Sequence, residues 1–141
     1  MAEVNDHLFG VYARAPIEVE CGEGVRLYDR QGRSWLDFVQ GIAVNGLGHA
    51  APVLIEAMTA QAKKLWHVSN IFAIPGQEEL AAKLCDASFA DRVFFTNSGT
   101  EAVECALKLA RKYHASKGHE ERIDVIGFEG AFHGRTYAAV T

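Results

Sequence analysis

The stretch Arg92-Val-Phe-Phe-Thr-Asn-Ser-Gly-Thr-Glu101 changes character at its middle, and the fold follows from that change. Arg92-Val-Phe-Phe-Thr96 is too short for a helix and rich in strand formers, whereas a long helical segment begins at Ser98. Ser98 suits the N-cap, and Glu101 at the third helical position completes a capping box, so an apolar strand runs straight into a helix start. At the far end Arg111, Lys112, His114 and Lys117 crowd the last turns ahead of Gly118, where positive charge complements the dipole. Glu104 and Lys108 form a favourably ordered i,i+4 pair on the same helix. A second apolar run, Ile123-Asp-Val-Ile126, follows. Strand, helix, strand with apolar strands is the pattern of a parallel pair covered by a helix, so an α/β fold is predicted. Tyr137-Ala-Ala-Val-Thr141 reads as a further strand beginning, which makes the expected sheet unfinished.

Upstream, Leu54, Ile55, Met58, Leu65 and Trp66 recur at helical spacing behind Pro52, and a second helix opens at Pro75-Gly76 with Glu78 and Glu79 in its first turn. Leu80, Ala81, Leu84 and Cys85 are its expected buried face, and its end is expected near Phe89. Before Pro52 the chain alternates in short stretches, Ile17 to Glu20, Val25 to Tyr28 and Ser34 to Phe38, with a hairpin break at Asp29-Arg-Gln-Gly32. This predicts a small β meander. The sequence therefore divides into a segment 1–51, with the meander, and a segment 52–141 that begins a larger α/β domain.

Composition excludes several classes. With 141 residues, 49% hydrophobic and 23% charged, a packed core is expected rather than disorder. The net charge of -4 argues against a grip on nucleic acid, which needs clustered basic residues unopposed by acids. No run approaches the roughly 18 apolar residues of a membrane span, and Glu3, Asp6 and His7 stand where a secretory leader would be basic and apolar, so a cytoplasmic location is expected. Cys21, Cys85 and Cys105 are odd in number and lack a C-x-x-C pair, and no two of the six histidines stand four apart, so no metal site is expected. A P-loop is absent. Gly46-Leu-Gly-His-Ala-Ala51 fits the dinucleotide fingerprint, but that site also needs an acid about 20 positions on, and no Asp or Glu lies between Glu56 and Glu78.

Two stretches suit ligand chemistry. A helix start at the carboxyl edge of a strand points free amides and partial positive charge outward, which suits a phosphate, and Gly99 leaves room for it. In Gly127-Phe-Glu-Gly-Ala-Phe-His-Gly-Arg-Thr136, Phe132 can stack on a planar ring and Arg135 can fork two N–H bonds onto a carboxylate. Both stretches have plain structural readings as well. Capping boxes open many helices that bind nothing, Phe132 suits a core, Arg135 a solvated loop, and His133 either a backbone contact or an acid–base role.

Phe95-Thr-Asn-Ser-Gly-Thr-Glu-Ala102, continuing through Glu104, Ala106, Lys108 and Ala110-Arg111 to Ala131-Phe-His-Gly-Arg-Thr136, resembles the class III pyridoxal-phosphate aminotransferases, in particular their acetylornithine branch. Tyr28-Asp29, Trp35-Leu-Asp37, Gly41-Ile-Ala-Val-Asn45, Leu47-Gly-His49 and His67-Val-Ser-Asn70 occur in the same order as in that family, whereas Ala51 stands where it often has His. The resemblance implies the PLP-dependent transferase fold type I, with Ser98, Gly99 and Thr100 as the cradle of the pyridoxal 5'-phosphate phosphate and Phe132 lying on its pyridine ring. It makes Arg135 the binder of a substrate α-carboxylate. It further implies an amino donor of the acetylornithine kind, 2-oxoglutarate as acceptor, and a homodimer built partly through Gly41 to His49 and His67 to Asn70. The six lysines, at 63, 64, 83, 108, 112 and 117, match no position of the lysine that carries the cofactor in the family. That lysine is expected beyond Thr141, so the chain is expected to be the N-terminal portion of a longer enzyme. Other ω-amino donors, such as succinylornithine, ornithine or GABA, and a non-catalytic dimerisation module are the alternatives.

Overall fold

The computed structural model describes residues 7–140. Glu3 and Asp6, on which the reading against a leader rests, lie outside the described residues, as does Thr141. The elements in chain order are β1 (Val19–Glu23), β2 (Arg26–Asp29), β3 (Ser34–Leu36), α1 (Gln40–Ala43), α2 (Pro52–Ala62), α3 (Pro75–Asp86), α4 (Gly99–Ser116) and α5 (Tyr137–Val140). They fall into two compact units that divide between Phe72 and Ala73, so α2 belongs with the meander in the first unit.

In the first unit β1, β2 and β3 form an antiparallel meander in that order, as the alternation predicts. The hairpin after β2 is closed by Asp29. This residue is 2% exposed, and its carboxylate takes four donors: the amides of Gln31 and Arg33 at 3.0 and 2.9 Å, Arg33 Nε at 2.6 Å and Trp35 Nε1 at 3.3 Å. A buried anion is tolerated when it is satisfied this fully. Burial pushes the Asp29 carboxyl up, but the Arg33 side chain and amide, the Trp35 N–H and the Arg33 charge outweigh it, and the group lies below its ordinary range.

The loop beyond β3 is tied back to the strands. Asp37 Oδ1 accepts the amides of Val39 and Gln40 at 2.9 and 2.8 Å, while its Oδ2 is 2.7 Å from His49 Nε2. The Gln40 and Val39 amides and the His49 ring hold the Asp37 carboxyl below its usual range, the Gln40 amide most strongly. Between them Gln40, Gly41, Ile42 and Ala43 all have positive φ, so α1 is one left-handed turn. Gly24 and His49 exchange two backbone hydrogen bonds, of 3.0 and 2.8 Å. Gly48, at φ +84°, comes so near that an added Cβ would lie 2.8 Å from Gly24 O. The second glycine of the apparent dinucleotide fingerprint thus serves a backbone contact.

In the second unit α3 starts with Pro75 and Glu78 in its first turn, and the eighteen-residue α4 starts at the expected N-cap Ser98. Other expectations change. Arg92 to Thr96 and Ile123 to Ile126 carry no ladder hydrogen bonds, so the expected parallel pair does not form between them. The Ile123 carbonyl is instead taken by Arg111 Nε at 3.0 Å. Tyr137–Val140 is a helical turn rather than a strand, because Thr136 O takes the amides of Ala139 and Val140 and Glu104 Oε1 takes that of Ala138. The expected packed core is also absent from each unit. Among the described residues only Asp29 and Ala139 are buried, and Leu80 and Leu84 of the expected α3 face are 49% and 42% exposed. Among the described residues, α2 and α3 pack on no other named element.

Candidate functional site

The site is built on the first turn of α4. Ser98 is in extended backbone, and its Oγ accepts the Glu101 amide at 3.3 Å while donating to Glu101 Oε2 at 3.1 Å. Asn97 Nδ2 donates to the other carboxylate oxygen at 3.3 Å. These bonds, the Asn97 one foremost, hold the Glu101 carboxyl below its usual range. Ser98 O takes the Ala102 amide at 3.0 Å, which leaves the amides of Gly99 and Thr100 without an acceptor among the described residues. They sit at the positive end of an eighteen-residue helix. A Cβ added at Gly99 would meet no heavy atom within 4 Å, so the space beside its Cα is open.

The loop carrying Phe132 and Arg135 lies against this same turn. Gly134 has φ +134°, and a Cβ there would press on Thr100 Oγ1 and lie 2.5 Å from Thr100 Cβ and 3.0 Å from its Cα. Only glycine allows so close an approach. Two residues on, Thr136 Oγ1 is 2.8 Å from Thr100 Oγ1 and donates to Glu104 Oε1 at 2.6 Å, which also accepts the Ala138 amide at 3.0 Å. Phe132 is 75% exposed, and the Arg135 guanidinium stands 5.7 Å from its ring centroid, within cation–π range. The His133 ring lies beside Gly127, with Cε1 3.9 Å from a Cβ built there.

The loop that carries Phe132 and Arg135 therefore adjoins, through Gly134 and Thr136, the α4 turn that carries Ser98, Gly99 and Thr100. Three residues that sequence reasoning did not single out join them: Gly134, Thr136 and Glu104. Glu104 reads in the sequence as a partner of Lys108. Its position four residues after Thr100, hence on the same helix face, is the one sequence signal that points to the site.

This arrangement can be set beside known proteins. The chain matches the family described as aminotransferase class-III over residues 11–141. It is 67% identical over 134 residues to acetylornithine aminotransferase 2 of Caulobacter vibrioides, covering 95% of this chain and 33% of that protein. To the acetylornithine aminotransferase of Agrobacterium fabrum it is 59% identical over 140 residues, covering 99% of this chain and 35% of the relative. Among solved structures, the ornithine aminotransferase of Toxoplasma gondii superposes with a TM-score of 0.83 at 27% identity, over 95% of this chain and 32% of that one. The acetylornithine aminotransferase of Elizabethkingia anophelis gives 0.76 at 34% identity, over 81% and 30%. These likenesses bear out the α/β transferase fold of type I that the resemblance implies. The chain spans about a third of the length of the curated relatives it matches. With the family match running from residue 11 to Thr141, the chain belongs to the class-III aminotransferases.

Proposed function

We propose that this chain supplies the phosphate cradle and a carboxylate-binding arginine of an enzyme that moves the δ-amino group of N2-acetylornithine to 2-oxoglutarate, a step of arginine biosynthesis. One observation carries the reading: the loop bearing Phe132 and Arg135 lies on the helix turn that presents the Gly99 and Thr100 amides. The donor is assigned from the relatives, which are named acetylornithine aminotransferases at 67% and 59% identity.

Class III aminotransferases depend on pyridoxal phosphate. The residues present fit such a group, because two amides without acceptors among the described residues stand at a helix start beside a glycine with room around it, and an exposed aromatic ring stands on the adjoining loop. Bound there, pyridoxal 5'-phosphate supplies the electron sink for amino-group transfer. Gly99 and Thr100 bind its phosphate through their amides, with Ser98 holding the turn in shape. Phe132 covers the ring, and Arg135 pairs with the substrate's α-carboxylate. The amine that the chemistry requires is assigned to none of Lys63, Lys64, Lys83, Lys108, Lys112 and Lys117, because none matches the position of the cofactor-carrying lysine that the family resemblance implies. The enzyme works as a homodimer in the cytoplasm, with residues 41–49 and 67–70 at the subunit contact, and residues 52–141 open its large domain.

The test is cofactor titration of the complete enzyme followed by the absorption of the bound cofactor. Gly99→Asp puts a carboxylate where the phosphate sits, and two unit charges at about 4 Å repel by about 4 kcal/mol at an effective dielectric near 20. Cofactor affinity then falls by several hundredfold. Undiminished affinity in that variant refutes the site. Comparing turnover of acetylornithine, succinylornithine, ornithine and GABA assigns the donor, and a preference for any but the first overturns that assignment.

A further inference from the structure

Glu104 makes no contact assigned above to cofactor or substrate, yet it ends a hydrogen-bond chain that passes through the site. An ionised carboxylate only accepts, so the Thr136 hydroxyl proton points to Glu104 Oε1, at 2.6 Å. Thr136 has one proton, so the 2.8 Å contact with Thr100 must be donated by Thr100. The chain runs one way, from Thr100 through Thr136 to Glu104. The Ala138 amide adds a backbone donor to the same carboxylate oxygen, at 3.0 Å.

We propose that Glu104 is a positioning residue: by accepting from Thr136 and Ala138 it docks the Phe132-to-Thr136 loop on the first turn of α4 and commits the Thr100 hydroxyl proton to the loop. An anion over Gly99 is then met by main-chain amides held at fixed spacing, with Phe132 and Arg135 carried to it by a loop that cannot swing away. This rests on the phosphate reading of the Gly99 and Thr100 turn. The bonds from Thr136 and Ala138 also hold the Glu104 carboxyl below its ordinary range, with Lys108 contributing charge, so it stays an acceptor at neutral pH.

The experiment uses the complete enzyme with Glu104→Ala, Glu104→Gln and the control Gly99→Asp. It reads amide hydrogen exchange across residues 134–140 without cofactor, and the dissociation constant of pyridoxal phosphate. Losing the acceptor speeds exchange and weakens the cofactor by roughly fivefold each in Glu104→Ala, as expected for a few hydrogen bonds open to solvent. Glu104→Gln keeps an acceptor oxygen and restores most of both. Should Glu104→Ala fail to fold, Thr136→Val removes the relay hydroxyl at nearly constant shape and gives the same pair of changes. Parental exchange and parental affinity in Glu104→Ala overturn the positioning role, and so does a Glu104→Gln enzyme as impaired as Glu104→Ala. Cofactor retention by Gly99→Asp sinks the phosphate reading instead, which keeps the two failures distinct.

Discussion

Replacing Gly134 with alanine tests whether the loop is seated on the α4 turn as described. Two costs add. At φ +134° an alanine is strained by about 1 to 3 kcal/mol, because that backbone region is close to glycine-only. Its Cβ would also lie 2.5 Å from Thr100 Cβ and 3.0 Å from Thr100 Cα, too near for either to remain in place. Overpacking of this kind costs about 1 to 3 kcal/mol more. The smallest sum, about 2 kcal/mol, lowers the docked population of the loop roughly 30-fold. The amide of Ala138, bonded to Glu104 Oε1, reports docking directly, and those of Ala139 and Val140, bonded to Thr136 O, report the turn that follows it. In the complete enzyme without cofactor, exchange across residues 134–140 should accelerate by about that factor. Adding Thr100→Gly, which removes the atoms that clash most but also the hydroxyl bonded to Thr136, should recover some of the packing part and leave the backbone part. Exchange in Gly134→Ala within twofold of the parent would refute the seated loop, and a double variant no better than the single would refute the clash.

Ser98→Ala removes the N-cap acceptor of the Glu101 amide and should cost about 1 kcal/mol, read as a shift of the denaturation midpoint. An unchanged midpoint would mean that the cap is idle. Gly48→Ala, at φ +84° and with its Cβ 2.8 Å from Gly24 O, should cost about 1 to 3 kcal/mol and open the Gly24–His49 bridge, visible as faster exchange of both amides. Asp29, Asp37, Glu101 and Glu104 all have carboxyls held below their ordinary values of 3.8 for Asp and 4.5 for Glu. Their stabilisation is therefore complete above those values and is lost as pH falls through the lower folded ones. Stability measured against pH should fall on the acid side, and Asp29→Asn should fall less steeply there. An equal slope in that variant would argue against the Arg33 and Trp35 partnership.

Bonds that span only a few residues were legible in the chain. Ser98 with Glu101, Pro52 and Pro75 at helix starts, and the Asp29-to-Gly32 turn all rest on contacts within about four residues, where residue type and spacing settle the geometry. The candidate residues Ser98, Gly99, Thr100, Phe132 and Arg135 suit a phosphate, a planar ring and a carboxylate, but residue type left their plain structural readings open, and the family resemblance chose between the two. The expectation of a strand at Tyr137 failed because the amide that decides it bonds to Glu104, 34 positions earlier. Likewise Asp37 and His49 meet across 12 positions, and Ile123 gives its carbonyl to Arg111 rather than to a strand.

What the amino-acid order determined by itself is the list of elements' starts and the chemistry each can offer. Tertiary structure alone decided which of these meet, as in the seating of Gly134 on Thr100 and the turning of the Thr100 proton toward Glu104. The physical reason is that a hydrogen bond or a close approach between distant residues depends on where the whole backbone runs, which no local preference specifies.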